Sequence, residues 1–273
     1  MQYTKGEILI EKNVNKIIIT GLLAAALSGC QSYNTEQSIQ TASVISETYE
    51  HSQTTVAADE MINISGREIP IDSEIVTLLL SDTENTTDIS ELGKLHNLRS
   101  LTVFPSTDGN TPCISGFDAL TGCETLESII LEAGFDDPND IYVLDTLPEL
   151  KNLTICGIEA YEDWDLGLRN IKKLNINGTF ELSRITHLGT LESLALEYNY
   201  SDDLTPITEL SGLTALAITE CGFDDYSPLL GLDDLQELFI SSVPMTEDMY
   251  DRIAERLPEC HITIVNESLE DAE

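Results

Sequence analysis

The chain has 273 residues, 41% of them apolar, with 49 acidic against 13 basic side chains and a formal net charge of −36. So acidic a balance argues against nucleic-acid binding, which works by neutralising phosphates with Lys and Arg, and equally against an electrostatic grip on anionic lipid. The apolar share suffices for a continuous core, and the surplus charge keeps the chain soluble and self-repelling.

In chain order, Lys12 and Lys16 precede an apolar run, Ile17–Leu27. The run is too short to span a bilayer as a stable helix but suits the core of a signal peptide. It ends in Leu27-Ser28-Gly29-Cys30. These residues, after such a run, resemble the lipobox of bacterial lipoproteins. The resemblance implies that residues 1–29 are a lipoprotein signal peptide and that Cys30 receives the lipid. It also implies a membrane anchor on the extracytoplasmic face. Glu7 and Glu11 are unusual before such a core, and a later start codon would account for them. Residues 30–60 are dominated by Ser, Thr, Gln and Glu. That composition cannot bury enough surface to fold, so the stretch reads as a flexible tether with a root-mean-square reach of roughly 30 Å.

The folded domain is expected over 61–265. Ile62-Asn-Ile64, Gly66 and Ile69-Pro-Ile71 form a small β element that caps its start. Beyond it a spacing recurs, Leu-x-x-Leu-x-Leu, clearest in Leu191–Leu196, Leu213–Ile218 and Leu235–Ile240, at intervals of 22 residues. Taking the second Leu as marker, the series runs Leu78, Leu101, Ile129, Leu153, Leu174, Leu194, Leu216, Leu238 and Cys260, regular only from Leu194 onward. Each marker lies in a short alternating run, which predicts a strand with one face inward. Upstream, apolar residues recur at steps of three, as in Leu92, Leu95, Leu98 and in Ile207, Leu210, Leu213. A period of three is that of a tight 3₁₀ turn. Self-similarity at this period means a stacked solenoid. At the far end Thr246 caps a helix through Arg256, with a stripe of Met249, Ile253 and Leu257, and a last strand follows at Cys260–Ile264. Residues 266–273 are an acidic tail.

The best units, Asp203–Ile218 and Asp225–Ile240, share an Asp-apolar-Ser/Thr opening with Asp88-Ile-Ser. At this point the chain resembles bacterial leucine-rich-repeat proteins of the 22-residue, internalin-like kind, over about residues 73–264. The resemblance implies an α/β solenoid. It is a right-handed superhelix with a parallel concave sheet, short 3₁₀ or irregular convex segments, a β-type N-cap and a helical C-cap. One departure matters. The column that usually carries a ladder of Asn reads Thr83, Ser106, Gly134, Ile158, Thr179, Asn199, Cys221 and Val243. Only Asn199 keeps the full ladder chemistry. At Gly134, Ile158 and Val243 the backbone has to pair by other means.

Signals for chemistry are sparse. His51, His96, His187 and His261 are scattered, no Cys/His spacing matches a zinc site, and no nucleophile elbow, phosphate loop or dinucleotide fingerprint occurs. The chain therefore reads as a non-enzyme without cofactor or metal. Asp136-Asp137, Asp202-Asp203 and Asp224-Asp225 follow strands at equivalent turns. Clustered carboxylates can hold Ca²⁺, but this context favours one Asp of each pair capping the next short helix. Cys113 and Cys123 both fall within the longest step, from Leu101 to Ile129, and export would allow a disulfide between them. Cys221 and Cys260 read as small buried hydrophobes.

Positions pointing outward between the leucines are mostly small or neutral, which is unusual on so acidic a chain. Phe104, Asn175, Asn177, Glu197, Tyr198, Tyr200 and Phe239 are the candidate ligand-binding residues, the aromatics as anchors. The expected function is recognition of another protein, neutral or basic in surface, on the concave face, in adhesion or host or partner contact. An envelope scaffold without a dedicated ligand and a glycan-binding module remain as alternatives.

Overall fold

The structure is a computed structural model and describes residues 61–80, 86–105, 113–157, 165 and 167–265. These divide into two compact units, one ending at Leu150 and one starting at Lys151.

The N-terminal unit opens with an antiparallel hairpin, β1 (Met61–Ile64) and β2 (Arg67–Pro70). Ser65 and Gly66 both take positive φ, 47° and 82°, the signature of a two-residue turn whose twist matches the strands it joins. Alternation puts Ile62, Ile64 and Ile69 inward, all under 10% exposed. Arg67 donates to the carbonyl of Thr77 at 2.6 Å, tying the hairpin to the next strand. That strand, β3 (Ile75–Leu79), runs parallel to β5 (Ser100–Phe104) and β5 to β7 (Ser128–Leu131). The register pairs Val76 with Leu101 and Leu101 with Ile129. Val76, not Leu78, therefore opens the marker column, two residues from the expected position. A second parallel ladder joins β4 (Thr86–Asp88), β6 (Cys113–Ser115) and β8 (Gly134–Phe135). It buries Thr87, Ile114 and Phe135 beneath the turns, where Phe135 meets Phe117 edge to face at 4.8 Å.

The return path of each rung is built as its spacing predicts. Segments Ser90–Lys94, Phe117–Gly122 and Pro138–Thr146 are 3₁₀ helices. The apolar residues at steps of three continue their hydrogen bonds, Leu95 N–H to Leu92 and Leu98 N–H to Leu95. Leu120, Cys123 and Leu126 repeat the pattern. Cys123 thus holds a leucine position, 1% exposed, with its thiol against the carbonyl of Leu92. Cys113 lies on β6, at the other end of the intervening 3₁₀ segment, and both are free thiols. No bridge joins them in this structure.

The C-terminal unit carries six parallel strands, β9 (Asn152–Cys156), β10 (Lys173–Asn177), β11 (Ser193–Glu197), β12 (Ala215–Thr219), β13 (Glu237–Ser241) and β14 (His261–Val265). Their register aligns Leu153, Leu174, Leu194, Leu216, Leu238 and Ile262 across the sheet. Ile262, not Cys260, is the last marker, and Cys260 stays half-buried outside the strand. Segments Leu182–Ile185, Thr205–Glu209 and Ser227–Gly231 are 3₁₀ helices on the return path.

Immediately after each of the first five strands stands a residue in the left-handed region: Gly157, Gly178, Tyr198, Glu220 and Ser242. Each N–H donates to a carbonyl of the next strand, Gly157 to Asn177, Gly178 to Glu197, Tyr198 to Thr219, Glu220 to Ser241 and Ser242 to Val265. This backbone ladder provides the pairing for which side chains are mostly lacking. Asn199 adds to it, fully buried, donating to the carbonyl of Phe180 and accepting from Ser201 N–H, both at 2.9 Å. Cys221 stands in the same column with its thiol against the carbonyls of Leu196 and Thr219.

Helix α1 (Glu247–Arg256) closes the unit, as its cap and stripe predict. Thr246 accepts from Met249 N–H at its start, and Ile253 and Leu257 are buried. Arg256 pairs with Asp233 of the preceding rung. Each unit repeats strand, turn and 3₁₀ return around a leucine core, which is the leucine-rich-repeat solenoid.

Candidate functional site

Alternation sends every second strand residue out of the core, and the register stacks those residues in columns. In the N-terminal unit the outward face carries Ile75, 54% exposed, and Leu79, 59% exposed. Phe104 is half-buried, paired in register with Leu79. Thr77, Thr102 and Ile130 form the adjoining row. Phe104 therefore adjoins an exposed Leu79, which, like Ile75 two outward positions earlier on β3, sequence reading missed. Their signal was present in the alternation of Ile75-Val-Thr-Leu-Leu79.

In the C-terminal unit the central outward column runs Thr154, Asn175, Ala195, Ala217, Phe239 and Thr263. Ala195, Ala217 and Phe239 form one apolar cluster with Val265 packed against it. Phe239 is 5% exposed, so it makes a floor beside two alanines rather than a projecting anchor. Asn175 is recessed in the same column, and neither its carboxamide oxygen nor its nitrogen has a partner among the described residues. Asn177 is engaged: its Nδ2 donates to Glu197 Oε2 at 3.1 Å, and Glu197 is itself buried.

The turn beyond the sheet holds the two tyrosines. Tyr198, at φ 55°, directs its hydroxyl to Glu220 Oε1 at 3.3 Å. Burial first, then the charge of Glu220, pushes the Tyr198 phenol above its ordinary range, so it stays protonated and donating at neutral pH. Tyr200 is 58% exposed, the largest exposed apolar side chain among the described residues of this unit. Its ring lies on Gly222, where an added Cβ would come within 2.9 Å of Cδ1. The structure thus joins Asn177 to Glu197, brings Tyr198 and Tyr200 to the corner that follows, and leaves Asn175 and Phe239 recessed in the central column. Glu220 was not anticipated. It stands in Tyr198's column one rung on, a placement the repeat spacing already implied.

The acidic turns have another role. Asp88, Asp137, Asp203 and Asp225 each accept from the backbone N–H two residues ahead, at 2.8–2.9 Å, at the start of a 3₁₀ segment. One Asp of each pair is a cap. Among the described residues, no group of three or more His, Cys, Asp or Glu is placed to hold a metal ion, and no helix is long and apolar enough to cross a membrane. Burial pushes the Cys221 thiol up to about 12 and the Cys260 thiol to about 11, so neither supplies a thiolate nucleophile at neutral pH. Cys30 lies outside the described residues.

No family model matches the chain, and no curated protein matches it by sequence. Solved structures do. Internalin C2 of Listeria monocytogenes aligns at 22% identity over 72% of this chain and 85% of its own, with a TM-score of 0.54. The internalin inlF of the same species aligns at 24% identity over 70% of this chain and 55% of its own, with a TM-score of 0.49. At 22% identity the likeness to internalin C2 shows the fold alone. The chain has the leucine-rich-repeat fold.

Proposed function

We propose that the protein is a recognition module, lipid-anchored at the cell surface through Cys30, that binds another protein on its outward sheet faces. The observation that carries this reading is the exposed Leu79 set beside the half-buried ring of Phe104 in register, on a chain of net charge −36. Contiguous exposed apolar side chains amid a charged surface are a mark of interaction sites. The partner's surface is apolar with a neutral or basic rim, because an acidic one would be repelled. Engagement of Asn177 by Glu197 and the flat setting of Phe239 leave a glycan-binding reading with fewer of its stacking and hydrogen-bonding groups.

Affinity capture with the full chain from bacterial and host surface extracts tests the binding. Wild type should retain a defined protein that Leu79→Glu or Ala217→Arg releases, with circular dichroism confirming that both variants fold. Equal retention by wild type and both variants would exclude the sheet faces. Retention surviving protease but not glycosidase treatment of the extract would favour a glycan ligand. The anchor is tested separately. Labelled palmitate should enter the wild-type protein and not Cys30→Ala, and an unlabelled wild type would remove the anchor from the proposal.

A further inference from the structure

The left-handed column after the strands is the starting point. Gly157 and Gly178 fill it in two rungs, and glycine takes that conformation without steric cost. The next two rungs hold Tyr198 and Glu220, whose side chains meet through a hydrogen bond. Glu220 forms no ion pair among the described residues. Tyr200, the exposed ring, is seated on Gly222 of the following rung. Two strands from the rung of Glu220, level with Ala217, the recessed carboxamide of Asn175 offers a donor and an acceptor, both without partners among the described residues. A buried amide left unpaired costs about 1–3 kcal/mol, which a ligand supplying both bonds would recover.

We infer that this corner of the C-terminal unit receives an arginine or lysine side chain from an extended segment of a protein partner. Tyr200 and the Glu220 carboxylate meet the cation, and Asn175 meets a peptide group farther along the segment. Three features select this occupant. An aromatic face beside a carboxylate attracts a cation through both its quadrupole and the neighbouring charge. The carboxamide of Asn175 matches the donor–acceptor pattern of a peptide backbone. The short side chains of Ala195 and Ala217 let a partner's main chain lie close to the sheet. An anionic segment would meet Glu197 and Glu220 together. This inference rests on the protein-binding reading above and specifies the chemistry of one part of it.

The test titrates the isotopically labelled full chain with acetyl-Val-Arg-Val-amide and acetyl-Val-Glu-Val-amide, following amide shifts. The arginine peptide should shift Tyr198, Tyr200, Glu220 and Ala217, and should bind at least about tenfold more tightly than the glutamate peptide. Tyr200→Ala and Glu220→Gln should each weaken it about fivefold, and 0.5 M salt should do the same. Gly222→Ala displaces the ring without removing it, and should weaken binding in a chain whose melting temperature is unchanged. Equal binding of the two peptides, shifts confined to other surfaces, indifference to all three substitutions, or no shifts at millimolar peptide would each overturn the inference. A captured protein released by Ala217→Arg but not by Tyr200→Ala or Glu220→Gln would leave the protein-binding reading standing and remove only the cationic occupant.

Discussion

Asn199 uses its whole carboxamide on the backbone, donating to Phe180 and accepting from Ser201. Asn199→Ala strands both groups in a fully buried site and should cost about 2–4 kcal/mol, read as a lower urea midpoint by circular dichroism. Asn199→Cys should cost less, because Cys221 already fills the equivalent place one rung on. An alanine variant as stable as wild type would mean that the left-handed backbone ladder carries the stack alone. The capping aspartates act at the same scale. The Asp88 and Asp137 carboxyls are held below their ordinary value chiefly by the N–H groups of Ser90 and Asn139, those of Asp203 and Asp225 chiefly by the hydroxyls of Thr205 and Ser227. A depressed folded value means stability that is present above the unfolded value, near 3.9, and is lost as pH falls through the folded one. Asp203→Asn with Asp225→Asn should therefore lower the urea midpoint at pH 6 and leave it close to wild type at pH 2. A gap that is constant with pH would assign the effect to packing instead of charge.

At the scale of the element, the return path was foreseen from its leucines because a 3₁₀ segment repeats every three residues and each buried leucine sits over the last. The ladder of β4, β6 and β8 was not foreseen. Its strands have two or three residues, too few for alternation to register, and they are strands only because the neighbouring rungs supply partners. The terminal helix was foreseen, since Thr246 and the stripe of Met249, Ile253 and Leu257 define it locally. Its work is to cover the last rung. Ile253→Ala should cost about 2–4 kcal/mol and should expose β14 to amide exchange before any other strand of the unit. Exchange that accelerates evenly across β9 to β14 would show that the cap stabilises the stack as one cooperative body.

For the whole molecule, a net charge of −36 sets a repulsion that every compact state must bear. Raising the salt from about 20 to 300 mM shortens the Debye length from roughly 20 to 6 Å. The melting temperature should then rise about 2–4 °C, corresponding to about 1 kcal/mol at this size. A fall on adding salt would mean that ion pairs such as Lys172–Glu192 and Arg99–Glu127 outweigh the repulsion.

The sequence by itself determined the repeat, the inward leucines, the 3₁₀ return, the two caps and the capping aspartates. All depend on spacing or on neighbours within a few residues, which a linear chain displays. The exact register at the first and last rungs, the free state of Cys113 and Cys123, and the flat setting of Phe239 depended on what lies across the sheet. Only stacking could put Tyr200 on Gly222 and bring Glu220 under the hydroxyl of Tyr198, because those contacts join residues about one full turn of the coil apart. The tertiary structure decided the corner because a solenoid turns separations of one repeat into contact distance.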